Sequence, residues 1–256
     1  MGLKSKLMAL GAFFVVAIAA VVISCVVAPE KGVPVLAYHM VAGDDDTYSV
    51  SANNFEEQMQ YLKENGYTSI SLLEFAKAKK GKFTLPDKPI VITFDDGYDN
   101  NYTTALPIME KYGMKGTVFM IANDIGKKDY LTLEQLKSWQ AHNMEIGSHT
   151  ANHVALATLT SEQKKEEIVA SKLLLEWKGL NTVFFMAYPF GSFDEETEQL
   201  LKENDYLGGL TGKSGLNTFD TNPYLLHRVN VPNPKFGLSE FKLRLLKANV
   251  YKRLGL

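Results

Sequence analysis

The run Val91-Ile92-Thr93-Phe94-Asp95-Asp96-Gly97-Tyr98 sets two adjacent carboxylates and a glycine at the end of an apolar stretch. Successive residues of a strand face opposite sides, so the two acids need not share one task. One can hold a metal while the other moves a proton. Gly97 allows a sharp turn behind them. An ordinary polar loop after a core strand would also read as Asp-Asp-Gly. A second stretch, Glu145-Ile146-Gly147-Ser148-His149-Thr150-Ala151-Asn152-His153, holds two of the five histidines in the chain. Their spacing of four predicts one face of a helical turn. Neutral imidazoles are common zinc ligands. With Asp96 they would form a three-ligand set that leaves a coordination position open, as a catalytic metal requires.

Thr93-Phe94-Asp95-Asp96-Gly97 and Ser148-His149-Thr150-Ala151-Asn152-His153 resemble the first two signatures of the polysaccharide deacetylases, the NodB-homology domain of carbohydrate esterase family 4. Ala187-Tyr188-Pro189-Phe190-Gly191 resembles the third. The three occur in the family's order, within roughly residues 33 to 235. The resemblance implies Asp96, His149 and His153 as metal ligands and Asp95 as general base. It implies the Phe190 backbone N–H as oxyanion donor, and Tyr188, Pro189 and Gly191 of the third motif are expected to bind substrate; Tyr98 lies near a motif loop, where its ring could stack on a sugar or pack in the core or rim. Zinc suits the ligand set, and cobalt or nickel would also be accepted.

Two histidines compete for the role of general acid. His39, in Tyr38-His39, resembles an early motif of the poly-N-acetylglucosamine deacetylase branch. His227, in Leu226-His227-Arg228, resembles the late histidine motif of other branches, and also reads as a strand-edge residue. His39 is the preferred acid. The family's third motif has an arginine, which orients the catalytic carboxylate, where this chain has Ala187. Arg228 is the candidate replacement, and a surface strand arginine is the alternative.

These residues need elements to position them. Strands are expected over 33–38, 89–94, 116–121, 144–146, 182–187, 206–210 and 226–231. Helices are expected over 55–66, 71–79, 103–112, 132–141, 160–177, 194–204 and 238–251, the last basic and amphipathic. Trp139 and Trp177 read as packing residues. The alternation argues for a parallel sheet with helices outside it. Several motif residues follow strand ends, the active rim of a βα barrel. The resemblance narrows this α/β fold to a distorted (β/α)7-type barrel, the NodB-homology fold. The acidic Asp44 to Asp46 run reads as a solvated loop.

The 256 residues are 46% hydrophobic and 22% charged, with net charge -2. That composition gives one domain with a full core and no basic surplus for nucleic acid. Lys4 and Lys6 precede an apolar run from Leu7 to Ala28. This reads as a leader or an anchor over 1–28, followed by a linker over 29–32 and a catalytic domain over 33–256. The lysines would stay cytoplasmic, placing the domain on the outer face of the cell membrane. Cys25, the only cysteine, resembles the lipidated residue of a bacterial lipobox, and an uncleaved anchor fits equally.

The expected function is a metal-dependent N-deacetylase of an N-acetylglucosamine-containing polysaccharide: peptidoglycan, poly-N-acetylglucosamine or a related cell-wall glycan. The alternatives are an O-acetyl esterase on xylan-like chains and a non-catalytic glycan-binding surface protein that keeps the fold.

Overall fold

The computed structural model describes residues 3–27, 30–43 and 46–255. Ala28 and Pro29, at the expected leader–linker boundary, lie outside the described residues, as do Asp44 and Asp45 of the acidic run.

The strands are short and almost wholly buried, which suits the continuous apolar runs of a parallel sheet covered on both faces. They are β1 (Val35–Tyr38), β2 (Thr68–Ser69), β3 (Pro89–Phe94), β4 (Thr117–Met120), β5 (Glu145–Ser148), β6 (Phe185–Ala187), β7 (Gly208–Leu210) and β8 (Val229–Asn230). Every named pairing is parallel, in the order β7-β6-β5-β4-β3-β1-β8. A parallel bridge from Leu210 to Leu226 brings the β8 segment back beside β7 and draws the ring toward closure. The short β2 is not legible as a strand from the sequence. It pairs with the first residues of β3, and β4 pairs with the last two.

Helices α1 (Leu3–Val27), α2 (Ala52–Glu64), α3 (Leu72–Lys79), α4 (Leu106–Lys111), α5 (Leu133–Ala141), α6 (Ser161–Trp177), α7 (Glu195–Glu203) and α8 (Gly237–Leu254) complete the chain. Capping boxes open α3, α5 and α6: Ser71 with Glu74, Thr132 with Gln135, and Thr160 with Gln163. Each satisfies two backbone donors reciprocally. The stretch before α4 is a π-helical turn, Asn101–Ala105, rather than regular α-helix.

Side-chain alternation divides the core in two. Leu36, Ile92, Val118, Ile146 and Met186 point outward beneath the helices. Val35, Val91, Phe119, Phe185, Ala187 and Leu226 form a second, inner cluster. Because the period is two, the inward set continues from Val35 through Ala37 to His39. It runs likewise from Val91 to Asp95, from Gly147 to His149, and from Leu226 to Arg228. Gly147 is needed in that set, since a Cβ there would collide with the Phe119 ring.

Two expectations about packing need correction. Trp177 is 84% exposed rather than packed. The C-terminal α8 is not one-sided: Phe241, Leu245 and Ala248 are buried, yet Leu243 and Leu254 stand exposed. Cys25 is a buried thiol inside the continuous α1. Counted over residues whose side chains are described, no helix is long and apolar enough to cross a membrane. Leu7, Ala9, Phe14 and Val26 of the apolar run fall outside that set.

Candidate active site

The end of β3 delivers the two acids in different directions. Asp95 continues the strand, its N–H donating to the Tyr38 carbonyl at 2.9 Å, and its carboxylate enters the barrel with 2% exposure. Asp96 then takes a left-handed conformation with φ 72, which redirects its side chain. Gly97 follows with φ 83, and a Cβ there would collide with Met120. Among the described residues, seven other than glycine have positive φ, and four of them lie in the three motifs: Asp96, Thr150, His153 and Phe190. Such backbone strain persists only where surrounding structure over-determines it, and it gathers at functional sites.

His149 and His153 do meet, but not on a helix. Residues 150–152 form a turn, with Thr150 and His153 in the left-handed region. The imidazole centroids are 4.9 Å apart. Glu167 on α6 fixes this turn, accepting from the Ala151 and Asn152 N–H groups at 3.0 Å each. Nothing in the spacing of the sequence pointed to Glu167.

The His149 Nδ1 lies 2.8 Å from the Ala187 carbonyl oxygen. A carbonyl can only accept, so Nδ1 carries the proton and Nε2 presents a lone pair. That lone pair faces Asp96 Oδ1 at 3.4 Å, and His153 Nε2 faces the same oxygen at 3.3 Å. Asp96 Oδ1 is buried and has no hydrogen-bond partner. Acceptors crowded around an unsatisfied carboxylate oxygen call for a cation. Ligands about 2.0–2.1 Å from a tetrahedral zinc would be spaced by about 3.3 Å, so these residues fit a divalent metal. Burial and then the adjacent Asp95 charge push Asp96 up to about 6. Burial carries His149 down to about 4 and lowers His153 as well, so both imidazoles are neutral near pH 7.

Arg228 lies beside Asp95. Its Nη1 donates to Asp95 Oδ1 at 2.7 Å, and its Nε donates to the Thr211 carbonyl at 2.9 Å. Arg228 is only 4% exposed. Burial by itself would raise the pKa of Asp95. The Arg228 guanidinium, followed by His149 and His39, overrides that and holds the carboxyl well below the ordinary range. His39 is close enough to influence both acids electrostatically, and its ring packs on Tyr48 with centroids 4.7 Å apart. His227 has the opposite parity on its strand. It packs against Gly215, and its charged neighbours are Lys213 and Lys252.

The third motif divides between surface and core. Phe190 sits at φ 58 with its ring 4.6 Å from that of His153 and 75% exposed. Among the described residues its N–H donates to no protein acceptor. Tyr188 and Pro189, expected to touch substrate, are instead buried. The Tyr188 hydroxyl donates to the Tyr224 carbonyl at 2.9 Å, and its ring stacks on Phe193. Gly191 is half-buried, with φ 66 and its Cα against Gly212. Tyr98 lies beside Asp96 and stacks on Tyr130 at 5.2 Å, an aromatic partner that no motif signalled.

Residues 82–208 match the family model for polysaccharide deacetylase. Bacillus subtilis (strain 168) YxkH, which carries the name of a polysaccharide deacetylase, is 37% identical over 203 residues, covering 79% of this chain and 72% of its own. The chain belongs to the polysaccharide deacetylase family. It is therefore a hydrolase that removes N-acetyl groups from polysaccharide.

The poly-beta-1,6-N-acetyl-D-glucosamine N-deacetylase of Staphylococcus epidermidis (strain ATCC 35984 / DSM 28319 / BCRC 17069 / CCUG 31568 / BM 3577 / RP62A) is 31% identical over 204 residues, covering 74% of this chain and 70% of that one. Among solved structures, the Streptococcus pyogenes deacetylase PplD in complex with acetate aligns with a TM-score of 0.76 at 27% identity, over 85% of this chain and 99% of that one. IcaB from Ammonifex degensii shares the fold, with a TM-score of 0.77 at 24% identity over 85% of this chain and 98% of its own. Within this deacetylase fold, the motif arginine is absent at Ala187 and a guanidinium arrives from Arg228 instead.

Proposed function

We propose that the chain is a metal-dependent, extracytoplasmic N-deacetylase of a β-1,6-linked N-acetylglucosamine polymer. One observation carries the reading. A buried, ionised Asp95 held by Arg228 stands next to the Asp96, His149 and His153 donor set. The Staphylococcus epidermidis relative supports the choice of polymer.

Asp96, His149 and His153 would hold the ion, zinc being the best match to the donors. A divalent ion there supplies Lewis acidity and a lowered pKa for water. Asp95 takes the proton from the water that attacks the acetyl carbon. Arg228 keeps Asp95 ionised despite its burial, which is what a base in this position needs. The Phe190 N–H donates to the developing oxyanion, a contribution of about 3 kcal/mol for a preorganised donor. His39 protonates the departing amine nitrogen as the C–N bond breaks. The products are acetate and a glucosamine unit. Phe190 and the Tyr98–Tyr130 pair supply aromatic surface for the sugar beside the donor set.

The apolar run ending in α1 tethers the domain to the outer face of the membrane.

The test is acetate release by the full-length protein from β-1,6-linked N-acetylglucosamine oligomers, peptidoglycan fragments and acetylated xylan, with and without a chelator. The reading predicts chelator-sensitive release, fastest on the β-1,6 oligomers. Faster release from acetylated xylan would assign an O-acetyl esterase, and no release from any substrate would leave a binding protein. Recovery of the full-length protein in a soluble fraction without detergent would refute the tether.

A further inference from the structure

The segment that carries both catalytic acids also grips the loop that carries His39. The Asp95 N–H donates to the Tyr38 carbonyl at 2.9 Å. The Asn101 Nδ2 donates to the His39 carbonyl at 2.7 Å. The Asn100 Oδ1 accepts from the Val41 N–H at 2.9 Å. Three hydrogen bonds thus fall on Tyr38, His39 and Val41, all from the stretch Asp95–Asn101.

The π-turn explains how Asn101 reaches inward. The Leu106 N–H bonds the Asn101 carbonyl five residues back, and such widened turns recur at functional sites. Asn101 is fully buried, yet its Oδ1 has no partner. An unsatisfied buried acceptor costs about 1–3 kcal/mol. A leucine would fill that volume without the cost, so the donor at Nδ2 must offset it.

We propose that Asn101, assisted by Asn100, is a positioning residue that holds His39 at a fixed offset from Asp95 and Asp96. It does not touch substrate. The inference rests on the reading of His39 as the acid. A general acid contributes about 10²–10⁴ in rate, and a displacement of about 1 Å can cost about 10²-fold.

Two substrates separate this role from a general structural one. An amine leaving group needs the proton from His39, whereas the phenolate of an aryl acetate ester departs without one. For Asn101→Ala, kcat on N-acetylglucosamine oligomers should fall about 10²-fold with little change in KM, while 4-nitrophenyl acetate hydrolysis stays within about twofold. Asn101→Asp keeps the size and removes the donor, so it reports on the hydrogen bond if the alanine variant folds poorly. It should show the same selective loss. His39→Ala should show that selectivity more strongly.

Equal losses on both substrates, or no loss on the oligomer, would overturn the inference. If His39→Ala lacks the selective loss while wild type still releases acetate, the positioning role fails but deacetylation stands. If wild type releases no acetate from any glycan, the functional reading has failed with it.

Discussion

Arg228 and Asp95 lie 133 residues apart in the chain and meet inside the barrel, Nη1 to Oδ1 at 2.7 Å with both side chains buried. The guanidinium comes from beyond β7, where the Thr211 carbonyl holds its Nε. It stands beside the carboxylate that the motif arginine would orient if Ala187 were arginine. Ala187 belongs to the inner apolar cluster, and its carbonyl orients His149.

Replacing Arg228 with methionine removes the charge and keeps much of the volume. Burial then acts on Asp95 against only the weaker influence of His149 and His39, and its pKa rises. A base must be deprotonated to work, so the acid limb of kcat/KM against pH should move to higher pH, with a loss of about tenfold or more at pH 7. In the wild type, the depressed pKa contributes stability above the unfolded value, and that stability is lost as pH falls through the folded value. In the variant that contribution is removed, so Tm should fall less steeply with acidification than in the wild type. An unmoved acid limb would show that Arg228 does not govern Asp95.

The donor set predicts stabilisation by metal. Zinc at about 100 times its dissociation constant should add about 2.7 kcal/mol, a Tm gain of about 5–10 °C for a domain of this size. Asp96→Asn and His153→Ala should each lose most of that gain in a thermal-shift titration. An equal gain in both variants would place the metal elsewhere.

Much of this site was legible because strand ends impose parity. Asp95, His149 and Asp96 follow apolar runs short enough to be strands, so their delivery to one rim could be read directly. The inward path from Val35 to His39 and from Leu226 to Arg228 follows the same period of two, and it leaves His227 on the other side. The His149–His153 turn is not legible, because a spacing of four fits a helix equally well and the left-handed Thr150 and His153 leave no sequence mark. Tyr188 and Pro189 carry the family pattern for packing and backbone shape, so their motif membership did not imply contact with substrate. Glu167, Tyr130, Thr211 and Asn101 act across the fold, and no local pattern announces them.

Gly147 tests the inner layer. Gly147→Ala would force the new methyl into the Phe119 ring and against the Phe185 carbonyl. Overpacking of this kind costs about 1–3 kcal/mol, or about 2–12 °C in Tm. His149 lies two residues on, so zinc affinity should weaken as well. A variant with wild-type Tm and wild-type zinc affinity would mean that the barrel interior yields more easily than this packing implies.

The adjacent acids divide the labour, Asp96 for the metal and Asp95 for the proton. Acetate release from β-1,6-linked N-acetylglucosamine oligomers by zinc-loaded Asp95→Asn, with its zinc content measured in parallel, separates the two roles. Near-stoichiometric zinc is expected, with acetate release reduced at least about 10²-fold, the lower end of what general-base catalysis supplies. Wild-type rates in this variant, or loss of zinc along with activity, would contradict it.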